Sequence, residues 1–315
     1  MGGALSTTPR LAERLGAFVR EEEAAEVWYA VIRIFRDYGY RRMRAKARLK
    51  FLLAEWGAEK FRDVLETQYL GRALPDGPAP EPAKTPGDHV GVHEQKDGRR
   101  YVGLAPTVGR ASGTRLTALA DLVEAAGSGR IRLTPHQKIV VLDVNPDAVE
   151  DLLAGAEELG FTGRPSPFRR NTMACTGIEY CKLSFVNTKD TARDTILALE
   201  QRLAGVELDT PITLNVNGCP NSCARIQVAD IGLKGQLAKG ADGSSEFAYQ
   251  VHLGGGLASS DREEPGLGRT VRGLKVTATD LPDYVERVVR TFLEQRVNGE
   301  TFSTWVKRAD DAVLK

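Results

Sequence analysis

Several features are missing from this sequence, and each absence narrows the reading. No apolar run approaches the roughly 20 residues that a membrane-spanning helix needs, and residues 1–6 have neither the charged nor the apolar region of a secretory signal. Neither sign of charge dominates: 43 Lys and Arg stand against 42 Asp and Glu, a formal net charge of +1. No nucleic acid or other bulk polyelectrolyte is therefore implied as a partner, and no membrane. No G-x-G-x-x-G follows a strand pattern and no G-x-x-x-x-G-K-[ST] occurs, so hydride cofactors and phosphate loops are not indicated; Gly254-Gly255-Gly256 reads as a tight turn. His89, His93, His136 and His252 lack metal-ligand spacing as a set. What remains is a globular chain, 42% hydrophobic and 27% charged, with a reducing cytoplasm as the expected compartment.

Cysteine is scarce, and its placement carries the chemistry. The four cysteines, Cys175, Cys181, Cys219 and Cys223, fall in one short stretch as a C-x5-C pair and a C-x3-C pair. Scattered core cysteines would seldom group in this way. Two disulfides are one alternative, disfavoured without a secretory context. Structural zinc is another, but it favours C-x2-4-C at both ends and the first pair is too wide. Four thiolates on a cubane iron–sulfur cluster suit the set best. Glycine and proline beside the cysteines keep the loops irregular, so backbone amides can approach cluster sulfurs.

Apolar periodicity predicts a helix over 24–36, stopped at Gly39, and a second from 46 through 56 to 67. Five prolines between 72 and 86 predict an extended linker. Beyond it, strands at 89–93 and 99–105 flank an Asp97-Gly98 turn. A helix over 114–126, strands at 131–134 and 138–144, and a helix over 146–159 follow. That β-β-α-β-β-α order suggests a ferredoxin-like α+β half-domain. After the first cysteine pair come a helix over 191–203, a strand at 212–216 leading into the second pair, strands at 226–233 and 247–253, and helices over 282–296 and 301–310.

A weak internal repeat organises these elements. Gly2-Gly3-Ala4-Leu5-Ser6 matches Gly254-Gly255-Gly256-Leu257-Ala258, and Val31-Ile32-Arg33-Ile34-Phe35 matches Val288-Val289-Arg290-Thr291-Phe292. The expected fold is therefore α+β with tandem modules, the first truncated at its amino end. The expected divisions are 1–72 as a remnant of the first module, 73–88 as linker, 89–166 as the half-domain and 167–315 as the cluster domain.

The Gly218-Cys219-Pro220-Asn221-Ser222-Cys223 block, with Cys175-Thr176-Gly177-Ile178-Glu179-Tyr180-Cys181 upstream, resembles the siroheme-binding sulfite and nitrite reductases. The ferredoxin-dependent sulfite reductases of actinobacteria are most similar. The likeness runs through essentially the whole chain, including Gly2-Gly3-Ala4-Leu5-Ser6 and the Arg36-Asp37-Tyr38-Gly39 turn. It implies that Cys175, Cys181, Cys219 and Cys223 hold a 4Fe–4S cluster and that Cys223 also bridges to siroheme iron. The implied reaction is six-electron reduction of sulfite to sulfide, with nitrite to ammonia as the alternative. A non-catalytic iron–sulfur or zinc-binding fragment is a rival from another class.

The resemblance also assigns siroheme contacts. Arg48 in the basic run 41–50 matches a carboxylate-binding position, with Arg44 and Arg48, or Lys46 and Lys50, sharing a helix face. Gln137 and Asn221 match cofactor contacts, and Arg110 is a further candidate. Substrate-binding cations of the family lie upstream of the first glycine turn, so a missing amino-terminal half, in cis or in trans, is expected. With no flavin or nicotinamide motif, the electron donor is expected to be ferredoxin. Lys182, Lys189 and Arg193 are candidates for its basic docking surface.

Overall fold

The computed structural model describes residues 1–81, 87–240, 243–258 and 265–315. It forms two compact units, Met1–Pro82 and Ala83–Lys315. Among the described residues no helix is long and apolar enough to cross a membrane.

In the first unit, α1 (Ala24–Tyr38) buries Val27, Ala30 and Ile34 along one stripe and ends at Gly39, as its periodicity predicts. Helix α2 (Leu49–Val64), kinked at Gly57, runs on into a wider π turn, Leu65–Leu70. Leu52, Leu53, Phe61, Val64 and Leu65 pack with α1 to make the core. The basic run departs from its predicted form. Residues Arg44–Lys46 make a single 3-10 turn, and Arg48 is extended (φ −145°, ψ 147°) as the residue before α2. Arg44 and Arg48 therefore share no helix face, and neither do Lys46 and Lys50. Lys50 is buried instead, its ammonium donating to the carbonyls of Leu5 (3.0 Å) and Thr8 (2.6 Å) and so tying down the amino-terminal turn. The proline-rich stretch begins as packed chain: Leu74 is buried, Phe18 N donates to Pro75 O (2.8 Å) and Gly77 N to Gly16 O (2.9 Å). Its residues 82–86 lie outside the described residues.

The second unit opens with the half-domain. Strands β1 (Gly91–Glu94) and β2 (Arg100–Pro106) precede α3 (Gly113–Ala125). Then come β3 (Ile131–Leu133), β4 (Ile139–Val144), α4 (Val149–Glu158) and the short β5 (Phe161–Thr162). The sheet is antiparallel in the order β1-β2-β4-β3, with β5 on β2. Val102, Leu104, Ile139 and Val141 point from it into a core shared with Leu119 and Val123 of α3 and Leu152 and Leu153 of α4.

The rest of the unit is α5 (Pro167–Asn171), β6 (Thr172–Ala174), α6 (Lys189–Arg202), β7 (Leu214–Asn217), β8 (Ile231–Lys239), β9 (Ser245–Leu253), β10 (Arg269–Thr277), α7 (Leu281–Gln295), α8 (Phe302–Arg308) and α9 (Asp311–Leu314). The sheet order is β10-β9-β8-β7-β6, parallel from β6 through β8 and antiparallel beyond. Helices α6 and α7 share a core with it, centred on Ile196, Leu199, Val216, Val251, Val288 and Phe292. The strand expected over 226–233 is corrected: Ile226–Val228 is a 3-10 turn, and β8 starts only at Ile231. The turn forms because Arg225 adopts a positive φ of 57° and the Ser222 hydroxyl caps Ile226 N at 3.1 Å. Strands β6 and β10 escape pattern reading. The first is three fully buried residues without alternation, and the second carries a register shift between Thr270 and Lys275.

The repeat has a local counterpart in each unit. Gly2 (φ 73°) and Gly254 (φ 74°) open a turn closed by an isolated antiparallel bridge, Ala4 to Arg10 in one and Gly256 to Gly266 in the other. The matched segments Val31–Phe35 and Val288–Phe292 lie in the strongly amphipathic helices α1 and α7.

Candidate functional site

The two cysteine loops meet because β6 and β7 are parallel neighbours. Thr172, Met173 and Ala174 pair with Leu214, Asn215 and Val216, so both strands end at the same edge of the sheet. Residues over 40 apart in sequence, Cys175 and Gly218, are thereby brought within hydrogen-bond reach: Gly218 N donates to Cys175 Sγ at 3.2 Å. Loops leaving the carboxyl ends of parallel strands are where α/β sheets commonly gather their chemistry.

Each loop is held by its own hydrogen bonds. In the first, Cys181 N donates to Gly177 O (3.0 Å), Ile178 N to Val186 O (3.1 Å) and Phe185 N to Gly218 O (2.8 Å). Thr188, fully buried before α6, donates its hydroxyl to Cys175 O at 2.6 Å. In the second, the buried Asn217 amide bridges the loop from inside, donating to Cys219 O (2.6 Å) and accepting from Ala224 N (2.8 Å). The loops press so closely that a Cβ on Gly218 would lie 1.8 Å from Ser184 Oγ and 2.9 Å from its Cβ, so any larger residue there would displace Ser184.

All four cysteines are free thiols: Cys219 is buried, Cys175 and Cys181 are half-buried and Cys223 is exposed. Burial first, and the neighbouring Cys175, Cys219 and Cys181 next, push the Cys223 thiol up. The four sulfurs thus share one electrostatic neighbourhood, and a metal that takes them as thiolates must offset that cost. Among the described residues no three His, Cys, Asp or Glu side chains converge on a single-ion site.

The half-domain grips this region at two points. The Gln137 amide donates to Ala174 O (2.6 Å) and accepts from Ala174 N (3.2 Å), immediately before Cys175. Arg110 pairs with Asp190 (2.8 Å) and with Glu179 inside the first cysteine loop, and the Lys189 ammonium donates to Val108 O. Arg225, after the second loop, donates to Pro135 O at 3.2 Å. Of the other expected residues, Asn221 is exposed beside Cys219 and Cys223, and Arg48 is exposed in the first unit. The three docking cations differ from the basic face expected of them. Lys182 is exposed, among the exposed apolar side chains Ile178, Tyr180, Leu183 and Phe185. Lys189 is tied to the half-domain, and Arg193 is paired with Asp190 (3.0 Å) and Asp194 (2.8 Å). The first two turns of α6 carry Asp190 and Asp194 alongside its basic residues, which neutralises the surface locally.

A buried charged cluster beneath the β3–β4 turn escapes sequence reading altogether. Asp88 holds Arg170 in a bidentate pair (2.7 and 2.9 Å), and the fully buried Lys138 lies within their field. Each residue reads as solvated polar chain in sequence; nothing marks Lys138 as buried except that it immediately precedes the apolar strand β4. Burial drives the Lys138 ammonium from 10.5 down to about 8, with Asp88 opposing and Arg170 and Lys189 assisting. Below about pH 8 the folded chain therefore carries a charge it disfavours, and that penalty fades as pH rises through 10.5, where the unfolded chain also loses its proton. Lys138→Met is accordingly expected to stabilise the metal-free chain by about 2 kcal/mol at pH 7. In urea unfolding the gain should shrink steadily between pH 8 and pH 10; a gain independent of pH would place its origin in packing rather than charge.

Residues 1–74 and 166–311 match the nitrite and sulphite reductase 4Fe-4S domain, and residues 93–159 match the nitrite/sulfite reductase ferredoxin-like half domain. The chain belongs to the nitrite and sulphite reductase family. It is 56% identical over 317 residues to the sulfite reductase [ferredoxin] of Mycobacterium tuberculosis, covering 100% of this chain and 56% of that protein. It is 37% identical to the assimilatory ferredoxin-dependent nitrite reductase of Haloferax mediterranei, covering 100% of this chain and 55% of that one. The structure of Mycobacterium tuberculosis NirA protein superimposes with a TM-score of 0.94 at 56% identity, covering 100% of this chain and 57% of that one. The chain thus spans about half the length of the curated relatives it matches. Family membership implies an iron–sulfur cluster and siroheme, and a half-domain joined to a 4Fe–4S domain is the α+β architecture expected of the sequence.

Proposed function

We propose that this chain is the cofactor-bearing part of a ferredoxin-dependent sulfite reductase. The observation that carries the reading is the convergence of two cysteine loops at the ends of two parallel neighbouring strands, in a chain 56% identical throughout to a sulfite reductase [ferredoxin]. Cys175, Cys181, Cys219 and Cys223 would hold the cluster. The donor set suits it: the Cys223 thiol feels the other three cysteines, and four thiolates are what a cubane cluster takes. The Gly218 amide, already on Cys175 Sγ, is placed to tune cluster potential. Cys223, the exposed thiol of the set, would face siroheme, with Asn221 beside it. When bound, cluster and siroheme supply single electrons to a small anion.

Sulfite ranks before nitrite because the sulfite-reducing relatives match at 56% and the nitrite-reducing relative from Haloferax at 37%. The test is anaerobic reconstitution with iron, sulfide and siroheme, followed by turnover with reduced ferredoxin and either anion. Reconstitution and turnover are run on the chain alone and together with the amino-terminal half of the Mycobacterium tuberculosis relative. A bound cluster with siroheme absorption, and a higher kcat/KM for sulfite, is the expected result. One tightly held zinc without labile sulfide would overturn the cofactor assignment; a higher kcat/KM for nitrite would reverse the substrate order.

A further inference from the structure

We infer that Gln137 is a positioning residue for the Cys175 ligand, acting through the backbone of Ala174. This rests on the cluster assignment above. Among the described residues, strand β6 is the edge strand of its sheet, so on the side away from β7 its backbone groups have no neighbouring strand. At Cys175 the amide turns inward, donating to Val216 O at 2.9 Å, so the groups of Ala174 face the open edge. The Gln137 side chain sits there and does what a strand would do, accepting from Ala174 N (3.2 Å) and donating to Ala174 O (2.6 Å). An amide side chain has the same donor and acceptor pair as a peptide unit, which is why glutamine suits the position. Ala174 is fully buried, so without Gln137 its N–H and C=O would lose partners that water cannot readily replace.

The arrangement is built on both sides of Gln137. Its own backbone takes a positive φ of 59°, uncommon for a residue with a Cβ, and its amide nitrogen is held by Thr134 O at 3.2 Å. The opposing residue is Gly109, where a Cβ would lie 2.6 Å from Gln137 Cβ and 3.3 Å from its Cγ and Cδ. A side chain at 109 would push Gln137 off Ala174. The half-domain thereby reaches across and closes the sheet edge directly at a cluster ligand. The Gln137 amide uses one donor and one acceptor on Ala174, and through that backbone it acts on Cys175.

Gln137→Leu removes both hydrogen bonds at nearly constant size, Gln137→Glu keeps the acceptor alone, and Gly109→Ala displaces an unaltered glutamine. In the metal-free full chain, hydrogen exchange at the Ala174 amide is expected to speed up at least about tenfold in Gln137→Leu and Gly109→Ala, and less in Gln137→Glu. In the reconstituted chain the same rank order is expected for the rate of cluster loss to an iron chelator. Gln137→Leu and Gly109→Ala are also expected to shift the midpoint potential and electron paramagnetic resonance of the reduced cluster in the same direction, which a merely stabilising side chain would leave alone. If Gln137→Leu loses siroheme while Ala174 exchange, chelator rate and cluster spectrum stay at wild-type values, Gln137 is a macrocycle contact and the inference fails. If wild-type chain takes up no cluster at all, it is the proposed function that fails, and the exchange result still decides whether Gln137 holds β6.

Discussion

Cys219→Ala is expected to leave a folded chain that cannot hold its cluster. Cys219 is the buried member of the four thiols, and its carbonyl is fixed by the Asn217 amide at 2.6 Å. The loop is therefore shaped by hydrogen bonds that the substitution does not touch, and removing one small buried sulfur costs the metal-free fold little, about 1 kcal/mol or less. The cluster has no such tolerance. Cubane assembly draws on four thiolates, and no His, Asp or Glu among the described residues joins the cysteines to form a ligand group that could stand in. Iron and labile sulfide after anaerobic reconstitution should fall at least about tenfold below wild type, with unfolding midpoint in the metal-free state nearly unchanged. Cys219→Ser, which offers a harder oxygen ligand, should retain at most a small fraction. Wild-type iron, sulfide and reduced-state resonance in Cys219→Ala would remove Cys219 from the ligand set.

Asp88→Ala should cost more stability than any other single change considered. Asp88 is 5% exposed and, among the described residues, is the carboxylate that faces both Arg170 and the buried Lys138. Burial alone would raise its carboxyl, but hydrogen bonds and charge from Arg170 outweigh burial and hold it below the usual range. Without it the buried Lys138 and the half-buried Arg170 stand together unpaired; breaking a fully buried pair costs about 3–5 kcal/mol, and solvent at Arg170 holds this loss to the lower end. Because the folded carboxyl is depressed, its contribution is complete above the unfolded value of 3.8 and is lost as pH falls through the folded one. The difference between wild type and Asp88→Asn in urea unfolding should thus be constant near neutrality and close in acid. Adding Lys138→Met to Asp88→Ala should recover part of the loss, since it removes one of the stranded charges; strictly additive effects in that double-mutant cycle would separate Lys138 from the pair.

The same buried cluster shows where reading a sequence stops. Periodicity places α1 within two residues of its true end, finds the β-β-α-β-β-α order of the half-domain and puts a strand ahead of the second cysteine pair, because those signals repeat along a single element. The C-x5-C and C-x3-C spacing, with its glycine and proline neighbours, points to a metal site because few other roles need four cysteines in so short a stretch. Local sequence is weaker at element ends. Arg48 stays extended and Lys50 turns inward to cap carbonyls of residues 5 and 8, so the helical face expected of the basic run does not form.

What the sequence by itself determines here is the grouping of the four cysteines and most of the element types, since both depend on neighbours a few residues away. Which partners those residues take is decided by packing between segments far apart in the chain. Gln137 matches a siroheme contact by resemblance, yet in the fold it also completes the edge of a strand 37 residues on; Lys189 reads as a docking-surface cation, yet its ammonium donates to a carbonyl 81 residues back. Backbone groups left over at a sheet edge and charges carried inward by an apolar strand must find partners wherever the fold brings them. Only the tertiary structure fixes where that is.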